Sequence, residues 1–306
     1  MTTPALPVLE GVLFFPVTPF TADDRVDADA LHRHIAERLT AGPGAVFIAC
    51  GTGEFHALSL EEYVEVVRVG VAATDGRVPI IAGVGGPLGH ARACAEAARA
   101  AGVDGLLVMP PYLVRGPQEG VANYIEAIAT ATELPIIAYH RDSAQLTLST
   151  VERLLQLPAL AGIKDGVGDV ALAQQFVGAA RTAGRLDVQF FNGLLTAEAS
   201  QGAYRAIGIP LYSSAVFAMA PEIALAFYDA YRVGDGDRMR RLLDGFFTPL
   251  VQLRDTTPGF AVSLVKVGVA LAGLRVGSVR APLTDPDAAQ TRELARLLAV
   301  GRDLAA

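Results

Sequence analysis

The sequence is poor in cysteine, and this scarcity excludes two kinds of site. Only Cys50 and Cys94 occur among the 306 residues. Two cysteines so far apart can form neither a disulfide framework nor the ligand set of a cysteine-based zinc site. We therefore expect two reduced thiols that pack as small apolar groups.

Positive charge is also in deficit. The chain has 25 lysines and arginines against 32 aspartates and glutamates, which gives a formal net charge of −7. Nucleic-acid-binding proteins usually carry a basic excess or a basic stripe, and neither is present, so a nucleic-acid partner is not expected. A small anionic substrate remains compatible with this charge because a few local cations can hold one.

Long apolar runs are missing from the chain. The longest of them, such as residues 134–139, have the length of buried strands, far below the ~20 residues that cross a membrane. The N-terminal sequence has no basic segment followed by an apolar one, so no signal peptide is predicted. We expect a soluble cytoplasmic protein without a membrane partner.

Motifs for metals and for common cofactors are missing as well. The sequence has no HExxH motif, no GxSxG elbow and no P-loop. Gly83-Val-Gly-Gly86 begins like a dinucleotide-binding turn, but Leu88 occupies the position of the last glycine. The histidines lack metal-ligand spacing, and we expect no metal and no cofactor. The five histidines are His32, His34, His56, His90 and His140.

Apolar residues, in contrast, are abundant, at 52% of the chain. Eight short apolar runs recur at the spacing of one strand–helix unit, and each is apolar on both alternations, which is typical of parallel strands covered on both faces. This pattern favours an α/β fold, a closed (β/α)8 TIM barrel, over an open doubly wound sheet. The predicted strands are 12–15, 45–50, 79–83, 105–109, 135–139, 161–164, 188–191 and 210–213.

Helix signals occupy the segments between these strands. Ser59-Leu-Glu-Glu62 and Ser149-Thr-Val-Glu152 both have the capping-box pattern. Gly102 is typical of the residue that ends a helix, and Pro117 of the residue that begins one. Helices are therefore predicted to alternate with the strands.

The chain after Ser214 has helical segments only, predicted at 221–233, 237–253, 260–272 and 287–304. The first of these contains the eighth barrel helix. We therefore predict one structural unit with two parts. These are a barrel at residues 1–235 and a C-terminal helical extension at residues 236–306.

The C-terminal ends of barrel strands form the functional face of such folds, and Lys164 ends the sixth strand. An apolar environment lowers the pKa of a lysine and increases the neutral amine that can attack a ketone. The alternative is an ordinary lysine with a buried stem and a solvated head.

Two further strand ends carry groups that suit an oxo acid. Gly51-Thr52-Gly53 precedes a helix and offers a hydroxyl and free amides to a carboxylate; alternatively it is a tight turn in which Thr52 and Glu54 cap the helix. Tyr139 suits proton transfer and Arg141 suits a carboxylate clamp. The alternatives are a core aromatic residue for Tyr139 and, for Arg141, a surface ion pair with Asp142 or Asp165.

Together these features resemble the dihydrodipicolinate synthase/N-acetylneuraminate lyase family. The resemblance rests on Phe14-Phe-Pro-Val-Thr-Pro-Phe20, Gly51-Thr-Gly-Glu54, Tyr139 and Lys164, in order from the first strand to the sixth. It implies a barrel with C-terminal helices, a Schiff base on Lys164, proton shuttling by Tyr139 and carboxylate binding by Thr52. It also implies a homotetramer, arranged as a dimer of dimers.

Within the family, five segments resemble a branch that dehydrates and decarboxylates a sugar diacid: 50–56, 139–142, 163–169, 190–193 and 212–215. Two positions depart from the synthases. Cys50 stands where they usually have glycine, and Leu113 stands where they have a second tyrosine that reaches a neighbouring active site. An inter-subunit proton relay of the synthase kind is therefore not expected.

The implied reaction can be followed on one lysine. An iminium at the ketone acidifies the adjacent methylene, loss of the β-hydroxyl gives a conjugated imine, and this electron sink lets the distal carboxylate leave as carbon dioxide. The expected partner is a small sugar acid. Candidates for binding its hydroxyls and distal carboxylate are Arg141, Asn192, Ser213 and Ser214.

Two other functions fit the same residues. A 2-keto-3-deoxy sugar acid aldolase would use the same lysine, tyrosine and threonine but would release pyruvate. A non-catalytic barrel that binds sugar acids would give a stoichiometric binding signal without turnover. It is disfavoured because all three side chains occupy strand ends.

Overall fold

The computed structural model describes residues 5–306, which form a closed parallel barrel whose strands follow chain order. β1 pairs with both β2 and β8, so no strand edge is left open. The predicted (β/α)8 barrel is confirmed, with strand ends within two residues of the prediction. The strands are β1 (Leu13–Phe14), β2 (Ala45–Ile48), β3 (Ile80–Val84), β4 (Gly105–Val108), β5 (Ile136–His140), β6 (Leu160–Asp165), β7 (Gln189–Asn192) and β8 (Leu211–Ser214).

Apolar side chains lie on both faces of these strands because each strand is covered twice. One cluster fills the barrel interior and includes Phe15, Phe47, Leu107 and Phe191. A larger cluster lies between the strands and the surrounding helices. The helices that precede β8 are α1 (Ala28–Leu39), α2 (Leu60–Thr74), α3 (Leu88–Ala101), α4 (Gln118–Ala129), α5 (Leu148–Leu154), α6 (Val170–Thr182) and α7 (Gln201–Ala206).

Two of the predicted helix-end signals are present in the structure, and a third is not. The Ser59 hydroxyl accepts from the amide of Glu62, whose carboxylate accepts from the amide of Ser59, so this capping box is confirmed. Gly102 ends α3 in the left-handed conformation, as expected. The capping box predicted at Ser149 is wrong, because the side chain of Thr147 caps α5.

The C-terminal part of the chain is helical, as predicted. A five-residue π-helical stretch, Leu243–Phe247, joins two helices that were predicted as one. α12 packs against α8, and α13 packs against α9. The helices are α8 (Val216–Met219), α9 (Pro221–Val233), α10 (Gly236–Leu242), α11 (Thr248–Arg254), α12 (Phe260–Leu271) and α13 (Ala288–Ala305).

The segment between α12 and α13 returns to the barrel and lies on the loop after β1. The amide of Phe20 donates to the carbonyl of Val276 at 3.0 Å. Gly277 has φ 68°, and a Cβ there would lie 2.1 Å from the carbonyl oxygen of Phe20, so only glycine allows this approach. The C-terminal extension is thus anchored to the barrel, while the proposed boundary at residue 235 stays a prediction.

No helix within residues 5–306 combines the length and apolar character of a membrane span. Both cysteines are free and buried, as expected from the sequence.

Candidate active site

The C-terminal ends of the strands open into a cavity of about 390 Å³. This volume falls in the range of small-molecule sites. Apolar side chains form much of its wall, among them Phe15, Leu107, Met109, Leu195 and Val262. Six of the predicted site residues also line it: Gly51, Thr52, Tyr139, Arg141, Lys164 and Ser213.

Lys164 is buried in the cavity, at 6% exposure. Its Nζ lies 4.4 Å from the ring centroid of Phe15 and 4.4 Å from that of Tyr139. No carboxylate of the described residues lies within ion-pair distance of this amine. The amine is therefore available to the carbonyl group of a bound molecule.

Gly193 makes room for the stem of this lysine. A Cβ at position 193 would lie 2.6 Å from both Cγ and Cε of Lys164. The glycine was part of a motif noted in the sequence, but its steric role depends on the neighbouring strand. Any side chain at this position would displace Lys164.

Tyr139 lies on β5 beside Lys164, its partner in the strand register. Its hydroxyl donates to the carbonyl oxygen of Gly193 at 2.9 Å and accepts from Nη1 of Arg141 at 3.0 Å. Arg141 also forms an ion pair with Asp142, with 3.0 Å between Nε and Oδ2. The predicted surface pair of Arg141 thus exists alongside a contact that ties its guanidinium to the cavity.

The turn Gly51–Gly53 borders the cavity beside Cys50. The amides of Thr52 and Gly53 donate no hydrogen bond within residues 5–306, so they are available to an anion. The hydroxyl of Thr18 donates to the carbonyl oxygen of Gly53 at 2.7 Å, which holds the turn from the β1 side. Burial raises the pKa of the Cys50 thiol to about 12, so this sulfur is a neutral thiol near neutral pH.

Glu54 does not cap a helix, which corrects one interpretation of the turn. Its carboxylate is fully buried and accepts from Nζ of Lys266 at 2.7 Å and from the amide of Arg280 at 2.8 Å. Sequence reasoning missed Lys266. A lone charged residue in the otherwise apolar α12 was the available signal.

Three predicted binding residues do not line the cavity. A Cβ at Gly53 would lie 3.3 Å from the carbonyl oxygen of Pro16 and 3.3 Å from the hydroxyl oxygen of Thr18, on the side of the loop after β1. Asn192 is fully buried, and its Nδ2 donates to Ala197, Ser200 and Gln201 on the helix side of β7. The hydroxyl of Ser214 accepts from the amide of Phe217. Side chains alternate along a strand, so these two strand residues point away from the cavity that their neighbours line.

A second polar cluster was missed because it lies on the helix side of β5 and β6. The carboxylate of Asp165 accepts from the hydroxyl of Tyr204 and from the amide of Val167, the latter at 2.8 Å. His140 Nε2 lies 3.9 Å from Oδ1 of Asp165, and His140 Nδ1 accepts from the amide of Leu146 at 2.6 Å. The cluster fixes the backbone that carries Tyr139 and Lys164.

Comparison with curated proteins finds close relatives along nearly the whole chain. A protein of Streptomyces coelicolor named probable 5-dehydro-4-deoxyglucarate dehydratase 1 is 48% identical, over 98% of this chain and 95% of its own length. A probable 5-dehydro-4-deoxyglucarate dehydratase of Streptomyces griseus is 50% identical, over 97% of this chain and 93% of its own length.

Solved structures share the same architecture. Dihydrodipicolinate synthase from Bacillus clausii superposes with a TM-score of 0.87 at 26% identity, over 97% of this chain and 99% of that chain. An Escherichia coli K12 member of the dihydrodipicolinic acid synthase family, solved in complex with pyruvate, has a TM-score of 0.83 at 25% identity over 94% of this chain and 97% of that chain. The sequence model of the Dihydrodipicolinate synthetase family matches residues 8–300, and the chain belongs to that family.

Proposed function

We propose that this protein is a Schiff-base lyase that converts 5-dehydro-4-deoxyglucarate to 2,5-dioxopentanoate, carbon dioxide and water. The observation that carries the proposal is the buried amine of Lys164, which lies between two aromatic rings and has no carboxylate partner in the described chain. Two relatives at 48% and 50% identity carry the name of this dehydratase.

The chemistry needs one covalent intermediate on Lys164. The amine adds to the ketone and loses water, which gives an iminium. A proton leaves the adjacent methylene, the β-hydroxyl leaves as water, and a conjugated imine results. The bond to the distal carboxylate then breaks, its electron pair enters this conjugated system, and carbon dioxide departs. Protonation and hydrolysis release the product and restore the lysine.

Tyr139 is the proposed proton carrier because its hydroxyl lies in the same cavity and is already hydrogen-bonded to Arg141. The guanidinium of Arg141 donates to this hydroxyl at 3.0 Å and so holds the oxygen in place in the cavity. The free amides of the Gly51–Gly53 turn and the hydroxyl of Thr52 are proposed to bind the carboxylate next to the ketone. Arg141 and Ser213 are proposed to bind the hydroxyls and the distal carboxylate of the substrate.

A homotetramer in the cytoplasm is the proposed setting for this activity. Tyr112, Leu113 and Val114, in the segment between β4 and α4, are 64%, 81% and 66% exposed. Three consecutive exposed apolar residues favour a protein contact. Size-exclusion chromatography with light scattering measures the number of subunits, and a monomer would contradict this part of the proposal.

An aldolase is the second candidate because the E. coli relative was solved in complex with pyruvate. The same cavity would then form an imine but break a carbon–carbon bond to release pyruvate. A barrel that only binds sugar acids is a third candidate from another class. It predicts saturable binding without release of any product.

Borohydride reduction in the presence of 5-dehydro-4-deoxyglucarate tests these alternatives. We expect an adduct on Lys164 by peptide mass spectrometry, together with carbon dioxide and no pyruvate. Pyruvate release would favour the aldolase. Binding without an adduct or turnover would leave the non-catalytic barrel.

A further inference from the structure

The most deeply buried ion pair beside the cavity joins two distant parts of the chain. Glu54 directly follows the Gly51–Gly53 turn, and Lys266 lies on α12 of the C-terminal extension. Their side chains are 0% and 1% exposed, and 2.7 Å separates Oε1 from Nζ. The second carboxylate oxygen accepts from the amide of Arg280 at 2.8 Å. Both oxygens of Glu54 are thus held by the C-terminal part of the chain.

Lys266 belongs to the helix that forms part of the cavity wall. Ala261 and Val262 at the start of α12, and Gly259 directly before it, contribute to that wall. Val262 and Lys266 are four residues apart, so they lie on the same face of the helix. The ion pair therefore connects this wall to the turn that forms another.

An aromatic ring completes the connection. Nζ of Lys266 lies 4.0 Å from the ring centroid of Phe20, and the guanidinium carbon of Arg280 lies 3.9 Å from the same centroid. Arg280 in turn forms ion pairs with Asp24 and Glu62. The loop after β1, the turn after β2 and the C-terminal extension thus meet at Glu54.

Stabilisation of the fold does not by itself explain why a buried ion pair occupies this place. Two charges lose their hydration on burial, and an apolar pair of similar volume often gives an equally stable or a more stable protein. A charged pair with fixed hydrogen-bond geometry does, however, hold two segments at one distance, which apolar packing specifies less strictly. Glu54 is also held with φ 55°, in the left-handed region, directly after the turn.

We propose that the Glu54–Lys266 pair is a positioning pair that fixes the Gly51–Gly53 turn relative to α12 and so sets the affinity of the cavity for the carboxylate of a 2-oxo acid. The inference rests on the proposed function in one respect, the role of the turn in binding that carboxylate. Neither residue touches the substrate. Both act through the turn.

The test uses pyruvate, the smallest 2-oxo acid that has the relevant groups. Titration calorimetry gives its Kd, and borohydride reduction at saturating pyruvate gives the yield of the Lys164 adduct. The variants are Lys266→Met, Glu54→Gln and the double variant, with Lys266→Arg as the conservative change. Val269→Ala is the matched control, because it removes buried methyl groups from the same helix and leaves both members of the Glu54–Lys266 pair in place.

We expect Lys266→Met and Glu54→Gln to raise the Kd of pyruvate about tenfold or more. The reason is that moving the turn by about 1 Å relative to α12 weakens the contacts of the turn with the bound carboxylate. The adduct yield at saturation should persist, and Lys266→Arg should recover part of the affinity. Val269→Ala should unfold at a lower urea concentration than the unmodified protein. Its Kd for pyruvate should equal that of the unmodified protein.

The double variant keeps the test decisive if a single variant fails to fold, because it leaves no unpaired charge. A raised Kd in a stably folded double variant supports the positioning role. If the double variant or Lys266→Met binds pyruvate with the Kd of the unmodified protein, the positioning role is wrong.

The unmodified protein separates this inference from the proposed function. Pyruvate binding without turnover of 5-dehydro-4-deoxyglucarate would contradict the proposed function and leave the pair testable. Absence of any pyruvate binding would overturn the positioning role as well.

Discussion

Polar side chains on the two faces of β5 and β6 differ in their hydrogen-bond partners. On the cavity face, Lys164 has no ion pair in the described chain, and the hydroxyl of Tyr139 is shared with Arg141. On the helix face, their neighbours Asp165 and His140 are held by hydrogen bonds from surrounding backbone and side chains. On these two strands the amine of Lys164 is thus free for a ligand, whereas the side chains of Asp165 and His140 have partners within the protein.

The difference shows how one strand serves both chemistry and stability. Consecutive residues point to opposite faces, so Lys164 and Asp165 differ in role although they are adjacent. Buried polar groups without partners destabilise a fold, which explains the dense hydrogen bonding of the helix face. A polar group that remains free on the cavity face has a partner only when a ligand is bound.

The largest expected effect is the loss of the covalent intermediate in Lys164→Ala. Without the amine no iminium forms, and we expect kcat/KM to fall on the order of 10⁴-fold or more. Mass spectrometry after borohydride reduction should find no adduct. Asp165→Asn, the adjacent helix-face change, should keep the adduct. An adduct that persists in Lys164→Ala would contradict the comparison.

Two tyrosines provide the next test. Tyr139→Phe removes the cavity-face hydroxyl, and we expect kcat to fall about 10²- to 10⁴-fold because proton transfer is lost, while the adduct still forms. Tyr204→Phe removes the hydroxyl that donates to Asp165 on the helix face. This control should reduce stability in urea and leave kcat nearly unchanged. Equal kinetic losses in both variants would remove the distinction between the faces.

Glu198, in the segment between β7 and α7, sharpens the comparison because it is a buried carboxyl group outside the cavity with one oxygen that lacks a partner in the described chain. Burial raises the pKa of Glu198 from its ordinary 4.5 to about 7. Between these values the folded protein binds a proton that the unfolded chain has released, so stability falls as pH rises from 4.5 to 7. Above pH 7 this titration lowers the free energy of unfolding by about 3 kcal/mol relative to its value below pH 4.5.

Glu198→Gln should remove this dependence and stabilise the protein at pH 8. Urea unfolding at pH 5 and pH 8 measures it, with the unmodified protein as the reference. A variant whose pH dependence equals that of the unmodified protein would show that Glu198 does not titrate in this interval.

The smallest effect separates two residues that were predicted to bind substrate together. Asn192→Ala should lower the free energy of unfolding by about 1–3 kcal/mol, because its buried partners lose their donor, with kcat/KM nearly unchanged. Ser213→Ala, on the cavity face, should change KM by a few-fold at most and leave stability nearly unchanged. Urea unfolding and steady-state kinetics on both variants would expose a reversed pattern.

The positions of the strands were predictable because their apolar pattern repeats along the chain. The strand-end location of Lys164 and Tyr139 followed from that pattern, since both lie at the end of an apolar run. The errors at Asn192 and Ser214 have one cause. A strand that is apolar on both faces does not reveal which residues face the interior, and a one-residue difference in alternation exchanges the two faces.

The sequence by itself determined the eight strand–helix units, the helical C-terminal part and the strand ends that carry the lysine and the tyrosine, because hydrophobic periodicity and local capping act over short distances. Only the tertiary structure decided which polar residues face the cavity, because this depends on strand register. Contacts between segments more than 200 residues apart, such as that of Glu54 with Lys266, likewise arise only when the barrel closes and the C-terminal helices pack against it.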